Sequence, residues 1–212
     1  MKYIFVCLCF FSFCSAYAEW EVLEDCYLST YKFNDGDSFH VRYNGKKYIF
    51  RLCYVDTPET NDRYPDRTSE QAEYWDISKE ELFLVAKYSK KRVAELLREP
   101  FTIRTKWTKA LGSSRLQRHY ALIETGEGDL GEILVKEGLV RIHGYKPKHP
   151  DGKSGKAYMK YLHELEAEAK EKKVGAWIGR GDITQATLNG SKKHNSQTPF
   201  KSYAERIRET LR

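Results

Sequence analysis

Beyond residue 18 the chain has no apolar run long enough to span a bilayer, and cysteine is scarce. Of its 5 cysteines, Cys7, Cys9 and Cys14 fall in the first 18 residues, which leaves Cys26 and Cys53. Two cysteines allow one disulfide or two buried thiols, and the sequence leaves both open. No histidine stands near either by local spacing, which argues against a catalytic thiol. Acidic residues are the scarcer charge: 36 Lys and Arg face 30 Asp and Glu, for a net charge of +6. That balance favours an anionic partner, nucleic acid or a membrane surface. Aromatic residues are plentiful, with 15 Tyr, 10 Phe and 4 Trp, and hint at stacking surfaces.

What is present begins with MKYIFVCLCFFSFCSAYA: Lys2, an apolar run from Tyr3 to Phe13, then Ala16, Tyr17 and Ala18. A charged start, a short apolar stretch and an A-x-A-like site read as a signal peptide cleaved near Ala18. Bulky Phe13 ahead of Cys14 argues against a lipoprotein site. Removing 18 residues from 212 leaves 194 and, with only Lys2 lost, a net charge of +5. The expectation is an exported, soluble product, periplasmic or secreted, monomeric and without stable membrane association. One domain is expected over residues 19–178, followed by a mobile basic tail over 179–212.

Alternation of Phe39, Val41 and Tyr43 with His40 and Arg42, then Asn44-Gly45, then KYIFRLCYV, predicts a hairpin with a type I′ turn. The polar stretch TNDRYPDRTSEQAEYWD reads as an exposed loop running into a short helix. Ser78 with Glu81 makes a capping box, and Ile77 with Leu82 a hydrophobic staple, for a helix that stops before Pro100. FTIRTKWT and HYALIE alternate as strands around the basic loop KALGSSRLQR. LGEILVKEG is a short helix ending near Gly138, and Tyr158, Tyr161, Leu162, Leu165 and Ala169 mark a last amphipathic helix. Arg180-Gly181-Asp182 matches an adhesion tripeptide, a pattern too short to carry weight. Short strands with helices late in the order predict a small closed sheet with helices on it, an α+β domain.

Two acidic clusters flank the hairpin: Asp35 with Asp37, and Asp56 with Glu59, with Arg51 between them. Each alone reads as turn chemistry. Together, two converging carboxylates and a backbone carbonyl make a hard oxygen site suited to Ca²⁺, a third carboxylate can act on a water, and arginines can hold a phosphate. Strand parity puts Arg51 and Asp56 on opposite faces, so Asp56 has to take its direction from the strand end.

The segment DGDSFHV…FRLCYVDTPE resembles the signature of the staphylococcal nuclease family, and the likeness continues through RHYALIETGEGDLGEILVKEGLV to Trp177. The resemblance implies an OB-fold five-stranded β-barrel with about three α-helices. It implies a Ca²⁺-dependent phosphodiesterase acting on DNA and RNA with little sequence preference and leaving 3′-phosphate ends. Asp37, Asp56 and the Thr57 carbonyl correspond to metal ligands, Glu59 to the catalytic glutamate, and Arg51 and Arg118 to the phosphate-binding arginines. Arg118 is chosen over Arg115 because it joins HYALIE without a gap. Tyr145 corresponds to a base-stacking tyrosine. The chain departs from the family at Ser38, where threonine is commoner, in a longer charged segment from Thr60 to Ile77, and in keeping one stacking tyrosine near Tyr145 where the best-known member has two. A non-catalytic nucleic-acid-binding module on the same barrel is the alternative.

Overall fold

The computed structural model describes residues 19–111 and 116–195; the expected signal peptide, Arg115 and residues after 195 lie outside them. Strands β1 (Glu21–Leu28), β2 (Ser38–Tyr43) and β3 (Lys46–Leu52) form an antiparallel meander. Asn44 and Gly45, at φ 46° and 73°, close the hairpin as its sequence predicts. Phe39 and Val41 are buried while Arg42 is exposed, which fixes the register of β2. The chain then bends through Cys53 and Tyr54 into the short strand β4 (Val55–Asp56).

Helix α1 (Pro65–Trp75) follows, then α2 (Lys79–Leu96), β5 (Phe101–Ala110) and β6 (Arg118–Thr125). The predicted capping box is formed: the Ser78 hydroxyl accepts from the Glu81 N–H, and Glu81 Oε2 accepts from the Ser78 N–H at 2.9 Å. Ile77 and Leu82 are both buried. The rest of the fold is β7 (Gly128–Asp129), α3 (Leu130–Lys136), β8 (Arg141–Ile142), α4 (Gly155–Glu171) and α5 (Gln185–Asn195).

Strand β5 pairs antiparallel with β1 and with β6, and its pairing shifts register in both ladders. Asp25 (φ 54°) lies in the first shift and Trp107 (φ 56°) in the second. Such irregularities bend strands, and the bending brings β6 round to pair in parallel with β3, closing a five-stranded barrel of the OB type. Leu23, Phe39, Val41, Phe50, Ile103 and Ile123 are among its buried residues, and α2, α3 and α4 add Leu82, Leu134 and Leu162 to the same core. Among the described residues no helix is long and apolar enough to cross a membrane. Cys26 and Cys53 are both buried free thiols, which closes the open question of a disulfide. Burial pushes Cys26 up to about 11 and Cys53 well above the ordinary thiol value, so neither serves as a thiolate.

The stretch after Thr60 runs, as its sequence predicts, from a loop into a short helix, α1, with its proline at the first turn. One expectation differs: the residues just after 179 pack on the domain. Arg180 Nη2 pairs with Asp76 Oδ1 at 3.1 Å, the Gly181 N–H donates to Glu81 Oε1 at 2.6 Å, and Ile183, just before α5, and Leu188, within it, are buried. Two apolar anchors, only one of them in the helix, are too few to show as periodicity. The adhesion-like tripeptide is part of this anchor.

The ends of α3 and α4 meet at Gly175, which sits at φ 60° with the Ala176 N–H donating to the Gly138 carbonyl at 2.9 Å. A Cβ on Gly175 would fall 2.2 Å from the Glu137 carbonyl oxygen, a contact that backbone cannot yield to. Gly175→Ala should therefore lower stability by at least about 1–3 kcal/mol, seen as a fall of several degrees in thermal midpoint. An unchanged midpoint would mean that the two helix ends are not locked together.

Candidate active site

The two acidic clusters are brought together by a small residue and a bend. Gly36 has no room for a side chain: a Cβ there would lie 2.6 Å from Thr57 Cγ2. The Asp35–Asp37 turn thus packs directly on the segment after β4. Its geometry is held by the Asp35 N–H donating to Ser38 O at 2.7 Å and the Leu52 N–H donating to Asp37 O at 2.8 Å. On the other side, Tyr54 at φ 67° breaks the strand, so the alternation that separated Arg51 from Asp56 does not continue across it. Arg51 Nη2 then donates to Asp37 Oδ2 and to Asp56 Oδ1, each at 2.8 Å.

Asp56 is the most heavily bonded group in the cluster. Its Oδ1 also accepts from Arg67 Nη2 at 2.6 Å, and its Oδ2 accepts from Arg141 Nε at 2.9 Å and Gln71 Nε2 at 3.1 Å. Burial would raise its pKa, but Arg67, Arg141 and Arg51 together hold the carboxyl below the usual range. Asp37 has one guanidinium where Asp56 has three. Burial pushes it up to about 8 against the pull of Arg51, with Asp56 and Asp35 adding repulsion. Of the pair, Asp37 is the one that carries a proton.

Sequence reasoning missed Arg67, Gln71 and Arg141. Arg67 and Gln71 lie four apart on one face of α1, a spacing that was visible once that segment was taken as helical. Gln71 is fully buried and acts as a clip: Nε2 donates to Asp56 and to the Thr57 carbonyl at 3.0 Å, while Oε1 accepts the Glu59 N–H at 2.8 Å. Arg141 faces Asp56 across the β4–β8 pairing and bonds Glu70 at 2.9 Å. That pairing joins segments 85 residues apart and has no local signal.

Barrel closure supplies the second arginine. In the parallel β3–β6 ladder, Ile49 pairs with Arg118 and Arg51 with Tyr120, so Arg118 reaches the same cleft two pairs away from Arg51. Arg118 Nε is buried and has no hydrogen-bond partner among the described residues. Burial and the nearby charge of Arg51 hold it below the usual arginine range. A half-buried guanidinium with an unpartnered Nε beside another cation marks a site short of negative charge. Glu59 lies across the cleft, with Arg67 Nε 2.8 Å from its Oε1 in an ion pair. Burial raises Glu59 above the usual glutamate value, with Arg67 opposing, which makes it a stronger base than an exposed carboxylate. Asp35, Asp37, Arg51, Thr57, Glu59, Arg67 and Arg118 line one cleft of about 370 Å³. Tyr145 lies outside it, in a neighbouring cleft of about 570 Å³ shared with Arg51, Arg67 and Tyr120. Tyr120 and Tyr145 stack at 4.7 Å, so the tyrosine expected to stand alone has a partner.

The donor set fits a hard divalent cation. Asp37 and Asp56 converge on one guanidinium nitrogen that stands in for it, the Thr57 carbonyl is adjacent, and the raised Asp37 marks a deficit of positive charge. Among the described residues there is no group of three or more His, Cys, Asp or Glu that could hold a metal, so this set rests on two carboxylates and a carbonyl.

Comparison with known proteins identifies the family. Residues 49–179, more than half the chain, match the family described as Staphylococcal nuclease homologue. The chain is 29% identical over 163 residues to Endonuclease YncB of Bacillus subtilis, covering 75% of this chain and 65% of that protein. It is 26% identical over 163 residues to the SPbeta prophage-derived endonuclease YokF of the same species, covering 76% of this chain and 47% of that protein. The chain thus spans less than two thirds of either relative.

The Asp37 value sets a pH dependence. Its folded pKa of about 8 lies above the ordinary aspartate value of 3.8, so the unfolded chain releases this proton first. Without a divalent cation, Asp37 therefore lowers stability as pH rises from about 4 to about 8, beyond which the loss is complete. Asp37→Asn should remove that slope, and melted in chelator at pH 8 it should be more stable than the parent chain. A lower midpoint at pH 8 would show that Asp37 is held ionised.

Proposed function

This chain belongs to the staphylococcal nuclease family, and on that premise we propose that it is an exported, Ca²⁺-dependent nuclease cleaving DNA and RNA with little sequence preference. The observation that carries the reading is the pair of arginines on the closing strands, one bridging two carboxylates and the other half-buried with an unpartnered Nε, facing a cleft that Glu59 lines. A phosphodiester brings the negative charge that this cleft lacks. Both curated relatives are named as endonucleases, which favours cleavage within a strand. The family resemblance adds 3′-phosphate products, and the first 18 residues, read as a signal, add export to the periplasm or beyond.

Asp37, Asp56 and the Thr57 carbonyl would hold the Ca²⁺, which when bound supplies Lewis-acid neutralisation of phosphoryl charge. Arg51 and Arg118 would present their planar donors to the phosphate. Preorganised donors of this kind contribute about 3–4 kcal/mol each to stabilising the added charge. Glu59, made more basic by burial, takes the proton of the attacking water. Gln71 acts on none of the reacting atoms and keeps Asp56, Thr57 and Glu59 in one relative position.

The test is cleavage of single-stranded DNA by the purified chain, with Ca²⁺ and then with chelator, beside Glu59→Gln and Asp37→Ala. Activity is expected only with the cation, and Glu59→Gln should lower turnover by about 10²- to 10⁴-fold with the fold intact by circular dichroism. Full turnover in Glu59→Gln would remove Glu59 from the chemistry. DNA binding without cleavage under any divalent metal would make the protein a binding module.

A further inference from the structure

Large apolar side chains at the surface are few, and three of them, Phe33, Tyr64 and Leu111, line the arginine cleft. Phe33 is 67% exposed and Tyr64 52%, so neither is kept for core packing. They come from separate segments, one before β2 and one at the start of α1.

Both are held in place. Phe33 meets the Tyr31 ring edge-on at 5.4 Å, and Tyr31 packs on His40 at 4.1 Å. Asn34 ties this loop down, accepting the His40 N–H at 3.0 Å and donating to Ser29 O at 2.8 Å. The Tyr64 carbonyl accepts the first backbone bond of α1 from Thr68, at 3.0 Å. Each ring has a cation beside it: Lys32 Nζ is 4.8 Å from the Phe33 centroid and Arg63 Cζ is 5.6 Å from that of Tyr64.

We propose that Phe33 and Tyr64 form a stacking subsite for unpaired nucleobases, with Lys32 and Arg63 holding the phosphates on either side. Fixed aromatic faces beside a track of cations are the chemistry that binds single strands, because every base has a face to stack and each nucleotide carries one phosphate. A duplex hides those faces. The stacked Tyr120–Tyr145 pair lies in the neighbouring cleft, and the two clefts share Arg51, Arg67 and Leu111. A strand crossing Arg51 therefore has aromatic side chains on both flanks, and the subsite confers preference for single-stranded substrate. The location of the phosphate is taken from the nuclease reading above.

The experiment measures binding in chelator, where cleavage is off, by fluorescence anisotropy. A short oligothymidylate is compared with an abasic strand of equal length, for the parent chain and for the Phe33→Ala/Tyr64→Ala double variant. The variant should bind oligothymidylate about 10- to 100-fold more weakly, while its binding to the abasic strand, which keeps only the phosphates, moves less than about twofold. A Phe33→Tyr variant should retain binding. Equal losses on both strands, or no loss on either, would overturn the subsite. The nuclease reading fails separately, by absence of cleavage in a protein that still shows this base-dependent binding.

Discussion

The buried carboxylate of Asp56 is the interaction on which the site depends. Four donors converge on its two oxygens, from Arg51 on β3, Arg67 and Gln71 on α1, and Arg141 on β8. A carboxylate buried to this degree is costly unless its charge is met, and the cost is met by drawing three separate elements to one point. Helix α1 and strand β8 are therefore placed as much by this charge as by apolar packing. Asp37, on the same cleft wall, has too few cations for its burial and is left sharing Arg51. The asymmetry between two neighbouring aspartates gives one a structural anchor and leaves the other responsive to an added cation.

Much of this could be read from the residues. Asn44-Gly45, the Ser78–Glu81 capping box and the alternation in β2 and β6 are local signals, and each element formed where its signal lay. The acidic pairs and Arg51 were visible as types at suggestive spacings and Arg118 through the family resemblance; the structure lines one cleft with Asp35, Asp37, Glu59 and both arginines, and joins Asp56 to it through Arg51. What was not legible depends on distance along the chain. Arg141 meets Asp56 through a pairing of two-residue strands, too short to show a period. Arg67 and Gln71 fall in the expected short helix but were not seen as site residues, since its polar face turns inward toward charge rather than outward toward water. Amphipathicity is a poor guide where the core being approached is itself ionic. Parity between Arg51 and Asp56 pointed the wrong way because strand alternation does not survive a left-handed residue, here Tyr54.

The cleft shows an economy in its charges. Arg51, Arg67 and Arg118 face Asp35, Asp37 and Glu59, a balance even by count but uneven in space. Positive charge is in excess at Arg118 and negative charge at Asp37. A site in that state is complementary to a cation and an anion arriving together, and poorly complementary to either alone.

The parallel pairing of β3 with β6 has a consequence for how the molecule comes to work. It joins Arg51 to Tyr120 across a long interval of sequence, and it is the last seam of the barrel in topological order. Long-range contacts of this sort form late, after the local hairpin and helices have reduced the entropy of closing so large a loop. Any partly folded state in which that seam is open keeps Arg118 away from Arg51 and leaves the cleft without a wall. The cleft is thus assembled only when the fold is complete, and a chain whose barrel has not shut has no finished site.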